Sequence, residues 1–247
     1  MALFQSNNPV LKQSIFDRAA QQQGEAMSIR GTVNKMSFML LLLVAAAVFS
    51  WGKFMLGGVS MVSGYMIGGG VGGFVLAMII IFKKEWSGYL APAYALAEGL
   101  FLGGISAMFS QAYNGIVVQA IGLTFGTFAA MLILYKTGVI RATERFKSII
   151  FTATAGIAIF YLVAMVLRLF HVDIPLINGG GIVGIGFSLI VVAIAALNLI
   201  MDFDMVEQGV AQGAPKYFEW YASFGMMVTL VWLYLEILRL LSKLNRR

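Results

Sequence analysis

Residues 99–135 read GLFLGGISAMFSQAYNGIVVQAIGLTFGTFAAMLILY, 37 residues without one charged side chain. A helix crosses the hydrocarbon core of a bilayer with about 20 apolar residues, so this stretch is too long for a single crossing. The polar turn Ser110-Gln111-Ala112-Tyr113-Asn114-Gly115 divides it. The division predicts a third span near Tyr89–Phe109 and a fourth near Ile116–Tyr135. Working outward toward the N-terminus, Val59–Phe82 reads as a second span, closed by Lys83, Lys84 and Glu85, and Met36–Gly52 as the first. Toward the C-terminus, Ser148–Leu167 is a fifth, a sixth begins near Gly179, and Tyr217–Leu241 is the last. The expected fold is an all-α integral membrane protein of seven transmembrane helices. A polar tail covers residues 1–35, the membrane domain 36–242 and a short basic tail 243–247.

Composition excludes most other classes. The chain has 247 residues, 60% of them hydrophobic and only 11% charged, against roughly 25% charged in an ordinary soluble domain. That much apolar side chain cannot be covered in water, and a disordered chain needs the opposite balance. An outer-membrane barrel needs short alternating segments, whereas these apolar runs are continuous. With no Cys and a single His, His171, disulfide scaffolds, thiol catalysis, thiolate metal sites and His-rich metal clusters are all excluded. The first apolar run begins behind a polar tail, too late for a secretory signal. Two matches to G-x-G-x-x-G, at Gly68/Gly70/Gly73 and Gly179/Gly181/Gly184, lie in or beside spans and not after a strand. They read as helix-packing glycines, not a dinucleotide site. Gly69/Gly73, Gly99/Gly103, Gly122/Gly126 and Gly180/Gly184 have the four-residue spacing that lets helix backbones approach.

The net charge is +6, and the basic residues sit between the apolar runs. That placement marks topology and anionic-lipid contacts and argues against nucleic acid as a partner. Lys12, Arg18, Arg30 and Lys35 precede the first span, Lys83 and Lys84 follow the second, and Lys136, Arg141, Arg145 and Lys147 follow the fourth. These segments share one side, which the positive-inside rule makes cytoplasmic. Only Lys53 and Arg168 fall in the loops of the other side, where Arg168, His171 and Asp173 read as a solvated loop. Seven crossings also leave Lys243, Arg246 and Arg247 outside, against the rule. A re-entrant last segment would bring them back, but Tyr217–Leu241 is long enough to cross.

The chemistry-bearing residues are acids at membrane depth: Glu98, Asp202, Asp204 and Glu236. An ionised carboxylate in the bilayer core costs at least a few kcal/mol and usually faces a protein interior or a water-filled path. Desolvation and a neighbouring like charge both favour the protonated form of a carboxyl group. At 1.5 Å per residue, Glu98 and Asp202 are expected in one layer roughly 14–18 Å deep, and Glu236 roughly 30 Å along the last span. Each has a structural alternative. Asp202 and Asp204 can be interfacial residues ending the sixth span. Glu236 can pair with Arg239 at i,i+3. Glu98 can be a hydrogen-bonded packing residue, and Lys83 and Lys84 a positive-inside anchor.

The segments Ala196-Leu197-Asn198-Leu199-Ile200-Met201-Asp202-Phe203-Asp204 and Leu233-Tyr234-Leu235-Glu236-Ile237-Leu238-Arg239-Leu240-Leu241 resemble the Bax-inhibitor family, also called the transmembrane Bax inhibitor motif proteins, and its bacterial YccA-like branch. The span order and glycine-rich third and fourth spans are similar too. The resemblance covers about Met36 to the end. It implies a seven-helix fold with the last helix central, and a calcium leak controlled by a pair of acids on the sixth and seventh spans. By position the sixth-span acid is Asp202 or Asp204 and the seventh-span acid is Glu236, where the family pattern usually has Asp. The latch that a basic residue at the end of the second span supplies in relatives falls on Lys83, where Arg is more usual.

The expected function is therefore a passive, pH-sensitive calcium leak, not an enzyme and without a cofactor, in a bacterial inner membrane with its N-terminus cytoplasmic. Asp202, Asp204 and Glu236 would hold calcium in transit, with Glu98 on the pathway. Calcium prefers several oxygen ligands, and two acids sharing a proton titrate as a coupled pair. The alternative is a non-conducting modulator of a membrane-bound protease or quality-control complex, gripped by the tail Met1–Lys35. An intramembrane hydrolase has no accompanying motif.

Overall fold

The computed structural model describes residues 26–170, 179 and 181–246. Most of the N-terminal tail, with Lys12, Arg18 and Gln21-Gln22-Gln23, lies outside the described residues, as do His171, Asp173, Gly180 and Arg247. Among the described residues there are six α-helices: α1 (Ile29–Phe82), α2 (Ser87–Ala112), α3 (Ile116–Lys136), α4 (Glu144–Leu169), α5 (Ile182–Ala211) and α6 (Phe218–Asn245). All are long and apolar enough to cross a membrane. Among the described residues there is no strand, only an isolated bridge between Ala26 and Pro215.

The difference between six helices and seven predicted spans lies in α1. Its 54 residues would reach about 80 Å if straight, and it breaks at Gly57 and Gly58, where Gly58 takes φ +63°. Only glycine adopts that conformation at little cost. The chain reverses there. The rings of Phe49 and Tyr65 stack edge to face at 5.5 Å, whereas sixteen residues of straight helix would separate them by about 24 Å. Both arms of this hairpin, residues 29–56 and 59–82, pack on α2. A Cβ on Gly99 would meet the Leu43 carbonyl and one on Gly103 the Ala47 carbonyl, so the first arm runs parallel to α2. Gly69 lies against the Ala97 carbonyl and Gly104 against Met66, so the second arm runs antiparallel. Seven membrane-crossing segments result from six helices.

These contacts explain two of the glycine pairs: Gly69, Gly99 and Gly103 sit where backbones meet, and Gly73 makes room for the Glu98 side chain. Gly122 and Gly126 do not, since a Cβ on either would point into open space. They lie on an outward face of α3, so spacing alone misassigns them.

The last helix is the centre of the bundle. It packs against α1, α2, α3 and α5, and its apolar side chains Met227, Leu233, Ile237 and Leu238 are buried. Ser87 donates to the Tyr217 carbonyl, Tyr94 stacks on Phe224 and Ser106 bonds Tyr234. The rising register makes α2 and α6 parallel along their whole length, so α6 crosses and does not re-enter. Both predicted tails shorten. Ser28 caps α1 by accepting from the Gly31 amide, so residues 29–35 belong to the first helix. At the other terminus α6 continues to Asn245. Lys243 is buried there, donating to the Gly184 carbonyl at 2.9 Å and Ser188 Oγ at 2.8 Å.

Candidate functional site

The acids at membrane depth are distributed along α6 at three levels. Their depths follow from the aligned starts of α2 and α6 at Ser87 and Tyr217. Glu98 lies eleven residues into α2, about 16 Å from that end. One helical turn earlier on the same helix, Tyr94 is its neighbouring polar side chain. Its carboxylate faces the second arm of α1, where a Cβ on Gly73 would come within 3.0 Å of Oε1. Asp202 reaches across from α5 to Thr229 of α6, about 18 Å from the Tyr217 end. The expectation that Glu98 and Asp202 share one layer agrees with this geometry. Both keep a buried carboxylate oxygen with no hydrogen-bond partner, Glu98 Oε2 and Asp202 Oδ2.

Asp204 turns away from α6. It accepts from Lys147 Nζ at 2.9 Å and from Gln208 Nε2 at 2.7 Å, so an ion pair joins the start of α4 to the last turns of α5. Two residues of helix rotate a side chain by about 200°, which is why Asp202 faces the core and Asp204 the flank. The same region holds Glu207, which accepts from the Tyr135 hydroxyl.

Glu236 is 1% exposed and sits about 28 Å along α6. Its Oε1 accepts from the Tyr161 hydroxyl at 2.9 Å and from Arg239 at 2.8 Å, and Arg239 also donates to Tyr161 at 2.7 Å. The guanidinium lies 5.1 Å over the Tyr161 ring. The i,i+3 ion pair is thus formed, and α4 supplies a third member that spacing could not reveal. Glu236 Oε2 has no partner.

The structure does not assemble the expected acid pair. Thr229, which Asp202 faces, is seven residues from Glu236, or about 10 Å along the helix, and Asp204 is committed to Lys147. Among the described residues no group of three or more His, Cys, Asp or Glu converges as metal ligands, so Asp202, Asp204 and Glu236 are not one calcium site. Lys83 is exposed and makes no ion pair with any of these acids, so it does not act as the expected latch in this conformation. Its neighbour Lys84 instead lies 5.3 Å over the Tyr221 ring.

One buried acid escaped the sequence reading. Glu219, in the first turn of α6, is 0% exposed. It accepts from the Ser28 amide and hydroxyl at 2.9 Å each and pairs with Lys35 and Lys216. The carboxylate here meets the amide of the α1 cap residue Ser28, at the positive end of the helix dipole. Beside Lys216 at the foot of a span, Glu219 reads as interfacial. Its partner Ser28 is 191 residues away, beyond any local pattern.

Against known families, a model described as Bax inhibitor 1 like matches residues 8–246, nearly the whole chain. No curated protein matches it.

Proposed function

As the chain belongs to the Bax inhibitor 1 like family, we propose that it is a passive, pH-sensitive calcium leak of a bacterial inner membrane, with the end carrying Lys35, Lys84, Lys136 and Lys147 in the cytoplasm. The observation that carries this reading is Asp202: an acid near mid-membrane, turned toward the central helix, with Oδ2 buried and unpaired. A carboxylate in that position is costly unless it holds a proton, water or a cation in passing. Its proton is therefore exchangeable against a cation, which is the property a pH-gated leak requires.

The spacing of the acids fits conduction better than storage. An ion path needs sites that bind well enough to admit the ion and weakly enough to release it. Single carboxylates at successive depths, Asp204 at the basic end, Asp202 near the middle and Glu236 toward the other end, offer a calcium ion a few oxygens at a time. This replaces the coupled acid pair with a ladder. Deprotonation of Asp202 places a negative charge against Thr229 on a helix that touches four others, so proton loss is felt by the packing of the whole bundle.

Purified protein in calcium-loaded vesicles, assayed across pH with a dye outside, tests the reading. Asp202→Asn should flatten the pH response. If Asp202→Asn, Asp204→Asn and Glu236→Gln all keep the wild-type profile, the leak fails and the non-conducting modulator of a membrane protease takes its place.

A further inference from the structure

Among the described residues the bundle is open on one side. The first arm of α1 and α3 both pack on the central helix, yet their backbones do not approach each other. The gap between them holds two cavities that share Leu40, one of about 880 Å³ at the basic end and one of about 560 Å³ deeper in the membrane. We propose that this cleft binds one anionic phospholipid of the leaflet at the basic end, its headgroup against Lys136 and Arg141 and an acyl chain running down toward the deeper trough.

The deeper cavity is fit for hydrocarbon. Its walls are almost entirely apolar, and the hydroxyl groups that line it are already engaged, which leaves the Trp51 indole N–H as the one other side-chain polar group on the lining. Ser106 and Tyr234 bond each other at 2.6 Å, and Thr124 bonds the Ala120 carbonyl at 2.7 Å. Ordered water needs two or more free polar partners, which this trough does not offer. Its rim residues Val44, Val48 and Phe125 are exposed, so the cleft opens sideways to the bilayer and a lipid can enter without crossing water.

The mouth supplies the charge complement. Lys136 and Arg141 line the basic-end cavity and are exposed. Arg141 spends only Nε on the Gly138 carbonyl, at 3.4 Å. Of the acids at the same mouth, Asp204 is paired with Lys147, while Glu207 accepts from the neutral Tyr135 hydroxyl and keeps its charge, so Lys136 and Arg141 exceed it by one positive charge. The positive charge left over suits a phosphate, and a juxtamembrane Lys or Arg favours an anionic headgroup several-fold. The dimensions agree. One leaflet is about 15 Å of hydrocarbon, and eleven residues of α3 below Lys136, about 16 Å, reach Phe125 and the trough. Of the acids on which the leak reading rests only Asp204 lines this mouth, and none of the substitutions that test the lipid site alters it.

The full chain, reconstituted in mixed phosphatidylglycerol and phosphatidylcholine vesicles and extracted in mild detergent, tests this by native mass spectrometry of retained lipid. Wild type should keep one phosphatidylglycerol in preference to phosphatidylcholine. Lys136→Gln with Arg141→Gln should cut that preference about tenfold, and Lys136→Arg should preserve it. Val44→Trp, on the exposed rim, should lower retention of both lipids by filling the trough. Both neutralised residues are exposed, so helix content by circular dichroism should match wild type. Equal retention of the two lipids by wild type, or an unchanged preference in the double variant, overturns the proposal.

Discussion

Glu219 and Glu236 lie on the same helix and both are buried, but their surroundings differ. Glu219 satisfies both oxygens, with the Ser28 amide and hydroxyl and Lys216 on Oε1 and Lys35 on Oε2. Glu236 engages one oxygen with Tyr161 and Arg239 and leaves the other without a partner, and Asp202, which faces Thr229 seven residues before Glu236 on α6, also keeps a buried oxygen without a partner. Burial therefore does not separate a structural acid from a poised one; completeness of partners does. A buried, unsatisfied polar oxygen costs about 1–3 kcal/mol, a cost that a proton, water or cation can relieve.

That contrast predicts a graded set of effects. The largest belongs to Glu219→Ala. Removing one member of a buried ion pair strands the other, here Lys35, and typically costs 3–5 kcal/mol. Because Lys216 keeps contact with solvent, a loss of about 3 kcal/mol in denaturant unfolding in micelles is expected. A loss below about 1 kcal/mol would show that Glu219 is no tie. Gly31→Ala attacks the same tie from the other side. Its Cβ would clash with the Glu219 carboxylate, so one partner must move, at about 1–3 kcal/mol. Unchanged stability would mean that the carboxylate does not sit on the first turn of α1.

At the other end, Tyr161→Phe removes one hydrogen bond from Glu236 and from Arg239. It should cost about 1 kcal/mol and shift the pH dependence of calcium flux, because the acid loses a donor. Asp202→Asn should leave stability within about 1 kcal/mol, since it breaks no ion pair, while changing flux most. A variant that loses stability as Glu219→Ala does would move Asp202 into the structural class. The smallest effect is expected of Lys83→Gln. As an exposed residue with no acid partner, it should change stability by no more than about 0.5 kcal/mol and leave the pH profile alone. A flattened profile would mean that a latch forms in a conformation other than this one.

Much of the architecture is legible in the chain because the bilayer imposes a one-dimensional rule. Charge-free runs of span length, closed by Lys83-Lys84 or by the turn at Ser110–Gly115, announce each crossing. The depth of Glu98 and Asp202 follows from counting residues along a rigid helix. The i,i+3 pair Glu236–Arg239 is local and could be read in the same way. Other features were not legible because they depend on contacts distant in sequence. Gly122 and Gly126 share the spacing of Gly99 and Gly103, yet only the latter pair meets a neighbouring backbone. The helix start at Ile29, against an expected Met36, depends on the Ser28 cap and on Glu219 beneath it.

The sequence by itself determined that this is a membrane protein, how many times it crosses, which ends gather the basic residues and which acids lie within the span. Each follows from hydropathy, length and charge along a single helix, where neighbours in space are neighbours in sequence. Only the tertiary structure decided what those acids face. Two residues of rotation send Asp202 to Thr229 and Asp204 to Lys147, α4 lends Tyr161 to Glu236, and the first helix lends Ser28 and Lys35 to Glu219. Whether a buried carboxylate is satisfied depends on groups brought from elsewhere in the chain, and helix periodicity carries no record of which helices become neighbours.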